Sequence, residues 1–322
     1  MSDRPGPPLA GKTKAKTRPG DRLFRNLTTG AGVFIVALIG LIGIFLLIQA
    51  IPALQANKAN FLTARVWATG DPNNLTFGIL DLLLVTIATS LVALVIAMPV
   101  SLGIALFLTQ YAPPRLARPF AYIIDLLAAV PSIIFGLWGI LVLAPELVPV
   151  SQWLNETLGW IPIFADGNLG GNFAGTIFTA GVVLAVMLLP IITSLTREVF
   201  QRTPTPHIEG ALALGATRWE VIRTTVLPFG KAGYIGASML GLGRALGETI
   251  ALSVILLQPS LNFDWSIFDG GATFASKIAS NYAEFNNPTS AGAYIAAGLV
   301  LFLLTFLVNI AARAIIGDKK EA

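Results

Sequence analysis

Long apolar runs alternate along the chain with short polar breaks marked by proline, glycine or charge. Six runs reach the length of about 20 helical residues that spans a bilayer. They cover 32–54, 79–108, 120–143, 174–195, 232–257 and 291–316. The pattern predicts an all-α polytopic membrane protein with six transmembrane helices. Pro99 lies inside the second run and Pro131 inside the third, a placement that lipid-embedded helices tolerate where neighbours re-satisfy the freed backbone groups. Residues 1–30 are rich in Pro, Gly, Lys and Arg and read as a disordered basic tail. The apolar run after them is too long for the core of a signal peptide. The segment 144–173 reads as a loop, with Trp153 and Trp160 suited to the headgroup level. There is no visible internal repeat.

Composition agrees with this pattern: 55% of residues are hydrophobic and 12% charged, against about 25% charged in soluble domains. The chain has no cysteine, which excludes disulfide frameworks and thiolate metal sites. The one histidine, His207, falls in a polar loop and reads as incidental.

Charge placement orients the chain. Seventeen of its lysines and arginines lie in the tail, in 111–119 (Arg115, Arg118), in 196–231 and at the C-terminus. The alternate loops hold only Lys58, Arg65 and Lys277. The positive-inside rule therefore puts both termini and the 196–228 loop in the cytoplasm. The outer loops carry Glu146, Glu156, Asp166, Asp264, Asp269 and Glu284, a mildly acidic face. Asp81 and Asp125 sit near the ends of their spans and read as boundary residues.

One motif is a decoy. Gly6 to Thr13 matches GxxxxGK[ST] letter for letter. A phosphate cradle needs a strand before it and a helix N-terminus after it, and the tail predicts neither. Pro7 and Pro8 also remove two N–H groups a cradle would use. The chain is expected not to hydrolyse ATP itself.

The chemistry concentrates in 203–253. Thr205-Pro206 reads as a helix start, with Thr205 as cap, and Gly215 as its stop. Ile208, Ala211, Leu212 and Leu214 give that helix an apolar side. Thr217 and Glu220 have capping-box spacing and would open a second short helix ending at Pro228. The pair reads either as a knob that docks in a partner's groove or as a loop lying on the membrane. Farther on, Arg244 lies ~20 Å beyond Lys231 along a helix. A charge at that depth costs about 2.5–3.5 kcal/mol on insertion scales. Glu248 stands four residues on, on the same helical face, and Gly243 and Gly247 have the GxxxG spacing of close helix contacts. Two readings fit: a buried ion pair that fixes packing, or an oxyanion site in which the guanidinium fork binds substrate. In the second, Glu248 would hold Arg244 between substrates or sense a proton.

Glu209, Gly210 and Ala211, then Gly215, then Leu227-Pro228 resemble the EAA loop of ABC importer permeases in spacing. Gly210 replaces an alanine of that pattern and Thr225 an isoleucine. The segments 215–233 and 241–249, with 129–139, resemble the PstC/PstA permeases of the bacterial phosphate ABC importer, and length and tail favour the PstC type. The likeness runs from about residue 75 to the end and is strongest over 209–253. It implies a type I importer permease of MetI-like architecture in the bacterial cell membrane. Glu209, Gly210, Ala211, Gly215, Leu227 and Pro228 would couple to the ATPase, while Arg244, Glu248, Gly243 and Gly247 would line the phosphate path. It also implies a PstA-type second permease, two ATPase subunits that carry ATP and magnesium, and an external phosphate-binding protein. No cofactor is expected on this chain, and no nucleic-acid partner. A permease for another oxyanion or solute remains open, as does a stand-alone transporter. An intramembrane enzyme is disfavoured, because no histidine lies in a span and Ser253 has no evident base beside it.

Overall fold

The structure, a computed structural model, describes residues 19–258 and 262–317. Helix α1 (Pro19–Ala56) begins within the expected tail. Pro19 suits a first turn, whose N–H groups lack intrahelical partners, and Asp21 faces the positive end of the helix dipole. Residues 19–30 are therefore helical rather than disordered. Residues 1–18, with the Gly6–Thr13 decoy, lie outside the described residues. The chain divides into two units, 1–48 and 49–322. The described part of the first unit is helix α1 up to Ile48, with outward apolar side chains such as Phe34 and Val36.

The second unit opens with the last turns of α1 and a minimal antiparallel pair. Strands β1 (Trp67–Ala68) and β2 (Thr76–Phe77) set Trp67 opposite Phe77. An all-helical expectation misses them because two residues per strand carry no alternation. Helix α2 (Leu80–Leu106) runs on through a π turn at Phe107–Tyr111. Helix α3 (Pro114–Leu127) follows, then α4 (Ser132–Trp138), a π turn (Gly139–Leu143) and α5 (Ala144–Leu158). This corrects the third span. Pro131 is itself extended (φ −58°, ψ 137°) and disfavours helical geometry at the residue before it, so the helical path is interrupted there. The expected 120–143 run is thus cut, and the membrane-length helix is Ser132–Leu158. Trp153 lies on α5 rather than in a loop.

Helix α6 (Ile177–Gln201) is the centre of the core. Thr176 caps it by accepting the Thr179 N–H at 3.3 Å. Ile177, Ala180, Leu184, Leu188 and Ile192 are fully buried. Gly181 lets α2 come close, for a Cβ there would meet Val92 Cγ1 at 2.5 Å. Next come α7 (Thr205–Ala213), α8 (Arg218–Val221), a π turn (Ile222–Val226), α9 (Leu227–Leu246) and α10 (Ile250–Ile255). Helices α11 (Phe274–Ser280) and α12 (Pro288–Gly317) complete the order.

Among the described residues, five helical stretches are long and apolar enough to cross a membrane: Gly20–Ala56, Leu80–Tyr111, Ser132–Leu158, Ile177–Gln201 and Pro288–Ala314. The expected continuous span 232–257 is not among them. It is broken at Gly247–Thr249, and α9 is glycine-rich with Lys231 and Arg244 within it.

A buried polar clamp holds two loops together. The Asp269 carboxylate accepts the N–H groups of Asn168 (2.8 Å), Asp264 (2.7 Å) and Ser266 (3.1 Å). The Asn168 amide oxygen accepts the Gly270 N–H at 2.8 Å. Burial pushes the Asp269 carboxyl above its ordinary value, and the three N–H donors pull it back.

Candidate functional site: a broken helix and its lead-in

The lead-in is built by local rules. Helix α7 ends in a Schellman motif: the Gly215 N–H donates to the Leu212 carbonyl at 2.9 Å and the Ala216 N–H to Ala211 at 3.1 Å. Gly215 takes φ +87°, a conformation that favours glycine. Thr217 and Glu220 form the expected capping box, the Thr217 N–H donating to Glu220 Oε2 at 2.7 Å and the Glu220 N–H to Thr217 Oγ1 at 3.3 Å. The Thr217 N–H and hydroxyl hold the Glu220 carboxyl below its ordinary value. Two details differ from expectation. Pro204, rather than Thr205, occupies the cap position of α7, with no side-chain cap. Pro228 does not end the second helix either. The π turn ahead of it carries the chain straight into α9, with Pro228 in the first turn of α9.

One helical path therefore runs from Arg218 to Leu246, placing Arg244 ~40 Å from its base. No residue of α7 is buried. Glu209 and Gly210 are exposed and Ala211 half-buried. Leu214 is 91% exposed, with Trp219 also outward. Leu227 packs instead against Ala105, Phe200 and Val226, so it anchors the knob rather than presenting it.

Helix α9 has two unlike faces. A Cβ on Gly230 would meet the Phe200 ring at 2.3 Å, one on Gly233 the Val199 Cγ2 at 2.5 Å, and one on Gly241 the Ile192 Cδ1 at 2.9 Å. With buried Ala237 these make the seam against α6. Gly243 faces space with no atom within 4 Å, and Gly247 has only backbone oxygens of its own turn near 3.8 Å. The GxxxG pair read from the sequence therefore makes no helix contact among the described residues. Leu240 (62% exposed) and Arg244 lie on the open side.

The Arg244–Glu248 ion pair, one of the two readings of this stretch, does not form. Helix α9 stops at Leu246, and the Gly247 and Glu248 N–H groups donate to the Arg244 and Ala245 carbonyls at 3.2 and 3.3 Å, tightening the last turn. Glu248 thereby leaves the face of Arg244. It is 8% exposed, and its Oε1 accepts the Ala251 N–H at 3.3 Å, capping α10. Among the described residues no ion pair or hydrogen bond engages the Arg244 guanidinium. A guanidinium so placed keeps its planar fork free for a carboxylate or phosphate-type oxyanion. Among the described residues, no cluster of acids and histidine converges as a metal set. The sequence reading missed the Asp269–Asn168 clamp. Its only trace is the Gly- and Asp-rich turn 264–271.

A model of the family described as binding-protein-dependent transport system inner membrane component matches residues 97–319. The phosphate transport system permease protein PstC 2 of Mycobacterium tuberculosis is 58% identical over 313 residues, covering 97% of each chain. PstC of Mycobacterium leprae is 57% identical (94% of this chain, 95% of that one). PstC of Xylella fastidiosa is 40% identical (91% and 89%). Two solved structures share the fold. One is the inward-facing MetNI methionine ABC transporter, with TM-score 0.53 at 19% identity over 74% of this chain and 95% of that one. The other is a bacterial ABC transporter that imports alginate, with TM-score 0.54 at 15% identity over 93% and 100%.

Proposed function

This chain belongs to the binding-protein-dependent transport system inner membrane component family, and we propose that it is the PstC-type permease subunit of an importer that carries inorganic phosphate into the cytoplasm. The observation that carries this reading is Arg244, a guanidinium with no partner among the described residues, on the open face of a helix that breaks just beyond it. The same helical path begins at the capping box beside α7. A push on α7 is thus delivered along a rigid rod to the anion site.

The exposed surfaces support the following assembly. Exposed Glu209, Gly210 and Leu214 dock on an ATPase subunit, two of which bind ATP and magnesium. A PstA-type permease completes the path opposite the open face of α9, which includes Gly243 and Gly247. An external phosphate-binding protein delivers the anion. Both termini and α7 lie in the cytoplasm, as the basic residues require. ATP-driven closure of the ATPase pair moves α7, tilts α9 and opens the route past Arg244 in alternating access. Glu248 keeps the break in shape by capping α10, so that Arg244 is not tied up in an ion pair.

The test is ATP-dependent uptake of labelled phosphate into vesicles holding this chain with its co-purifying partners, against competing sulfate and molybdate. Uptake that needs ATP and resists both competitors supports the reading. Equal competition by molybdate or sulfate makes this a permease for another oxyanion. Uptake without an ATPase makes it a stand-alone transporter.

A further inference from the structure

Helix α3 belongs to neither the coupling knob nor the anion route. Its sequence, PRLARPFAYIIDLL, sorts into three stripes. Ala117, Ala121 and Ile124, at i, i+4 and i+7, form the seated side, and Ala121 is buried. Leu116, Phe120, Ile123 and Leu127 continue a second stripe at i, i+4, i+7 and i+11, each about half exposed. Arg115, Arg118, Tyr122 and Asp125 form the third, all exposed. Asp125 is bound to α6 through Arg197 at 3.4 Å. Among the described residues the guanidinium groups of Arg115 and Arg118 have no ion pair and no hydrogen bond.

We infer that α3 is an in-plane helix seated on anionic phospholipid, with Leu116, Phe120, Ile123 and Leu127 in the acyl boundary and Arg115 and Arg118 on headgroup phosphates. Its place in the chain fixes its level. It lies between two membrane-length stretches, Leu80–Tyr111 and Ser132–Leu158. Pro113 before it, Pro114 as its first residue and Pro131 after it keep it from extending either one. A short helix held at that boundary, apolar on one stripe and basic on the next, has the amphipathic pattern of interfacial helices. Two unneutralised arginines select the anionic leaflet surface. That this is the cytoplasmic leaflet rests on the orientation given under the proposed function; the seating itself does not.

The chain has no cysteine, so single cysteines placed in it can be spin-labelled in the intact importer once any cysteines of the other subunits are replaced, reconstituted in bilayers of phosphatidylcholine with phosphatidylglycerol. Labels on Leu116→Cys, Phe120→Cys, Ile123→Cys and Leu127→Cys should collide with oxygen. Labels on Arg115→Cys and Tyr122→Cys should collide with a water-soluble nickel chelate, the preference switching with helical period. Nickel access throughout overturns the seating. Protection from both reagents overturns it too and assigns the apolar stripe to a protein partner. Native mass spectrometry of the R115Q/R118Q double variant should show severalfold fewer retained phosphatidylglycerol molecules with phosphatidylcholine unchanged, and Arg118→Lys should restore part of the loss. Unchanged phosphatidylglycerol retention removes the headgroup role. Neither readout needs uptake, so this inference and the phosphate reading fail separately.

Discussion

The two faces of α9 use the same residue type for opposite ends. Toward α6, Gly230, Gly233 and Gly241 are filled by Phe200, Val199 and Ile192. Toward the open side, Gly243 meets nothing and Gly247 only its own turn. Glycine on the first face brings backbones together. On the second it leaves open space beside Arg244. A glycine thus marks proximity only when something approaches it, and a spacing motif alone does not say which face that is.

The largest expected effect tests the open face. Arg244→Ala should cut ATP-dependent phosphate uptake by ~10²-fold or more, since a bidentate charge-assisted pair supplies about 3 kcal/mol or more. The complex should still purify at wild-type yield, because Arg244 is exposed and its guanidinium makes no ion pair or hydrogen bond among the described residues. Arg244→Lys should recover only a fraction, having lost the planar fork. Loss of the complex along with uptake would show that the open face also holds the assembly.

The closed face should behave the other way round. Gly230→Val places a side chain into the Phe200 ring, which is fully buried and has nowhere to go. Overpacking of this kind costs about 1–3 kcal/mol, read as a lower Tm in detergent. Combining it with Phe200→Leu should return part of that loss. Gly243→Ala is the contrast: with no atom to meet, it should leave Tm unchanged or raise stability by up to about 1 kcal/mol. Uptake should nonetheless fall severalfold if the space beside Arg244 is used. A Tm drop matching that of Gly230→Val would end the distinction between the faces.

Much of the architecture was legible because burial in lipid imposes long apolar runs. Four of the six expected spans coincide with membrane-length helices. The third was misplaced because its apolar run continues across Pro131, and composition does not register a proline's constraint on its neighbour. The fifth was read as continuous because nothing in Leu246–Ile250 is polar enough to announce a break except Glu248, which looked like a partner for Arg244 and is instead a cap. The capping box and Gly215 were readable since both act within a few residues of chain. The Asp269 clamp was not, because it joins residues about a hundred positions apart.

The smallest effect lies at the base of the same helical path, where neither face is involved. Glu220 has its carboxyl held below the ordinary value by the Thr217 N–H and hydroxyl. The capping contribution is therefore complete above the ordinary carboxylate pKa and is lost as pH falls through the lowered folded value. Amide protection factors, which are referred to the base-catalysed intrinsic rate at each pH, should fall at Arg218–Val221 on acidification across that window, while those of Gly230–Gly241, held by packing on α6, should not change. Glu220→Gln, which keeps an acceptor without a charge, should flatten the pH dependence and leave the α6 seam unchanged. A pH response shared by both segments would mean that the cap and the seam open as one unit, and the helical path would then couple α7 to Arg244 through stability as well as through rigidity.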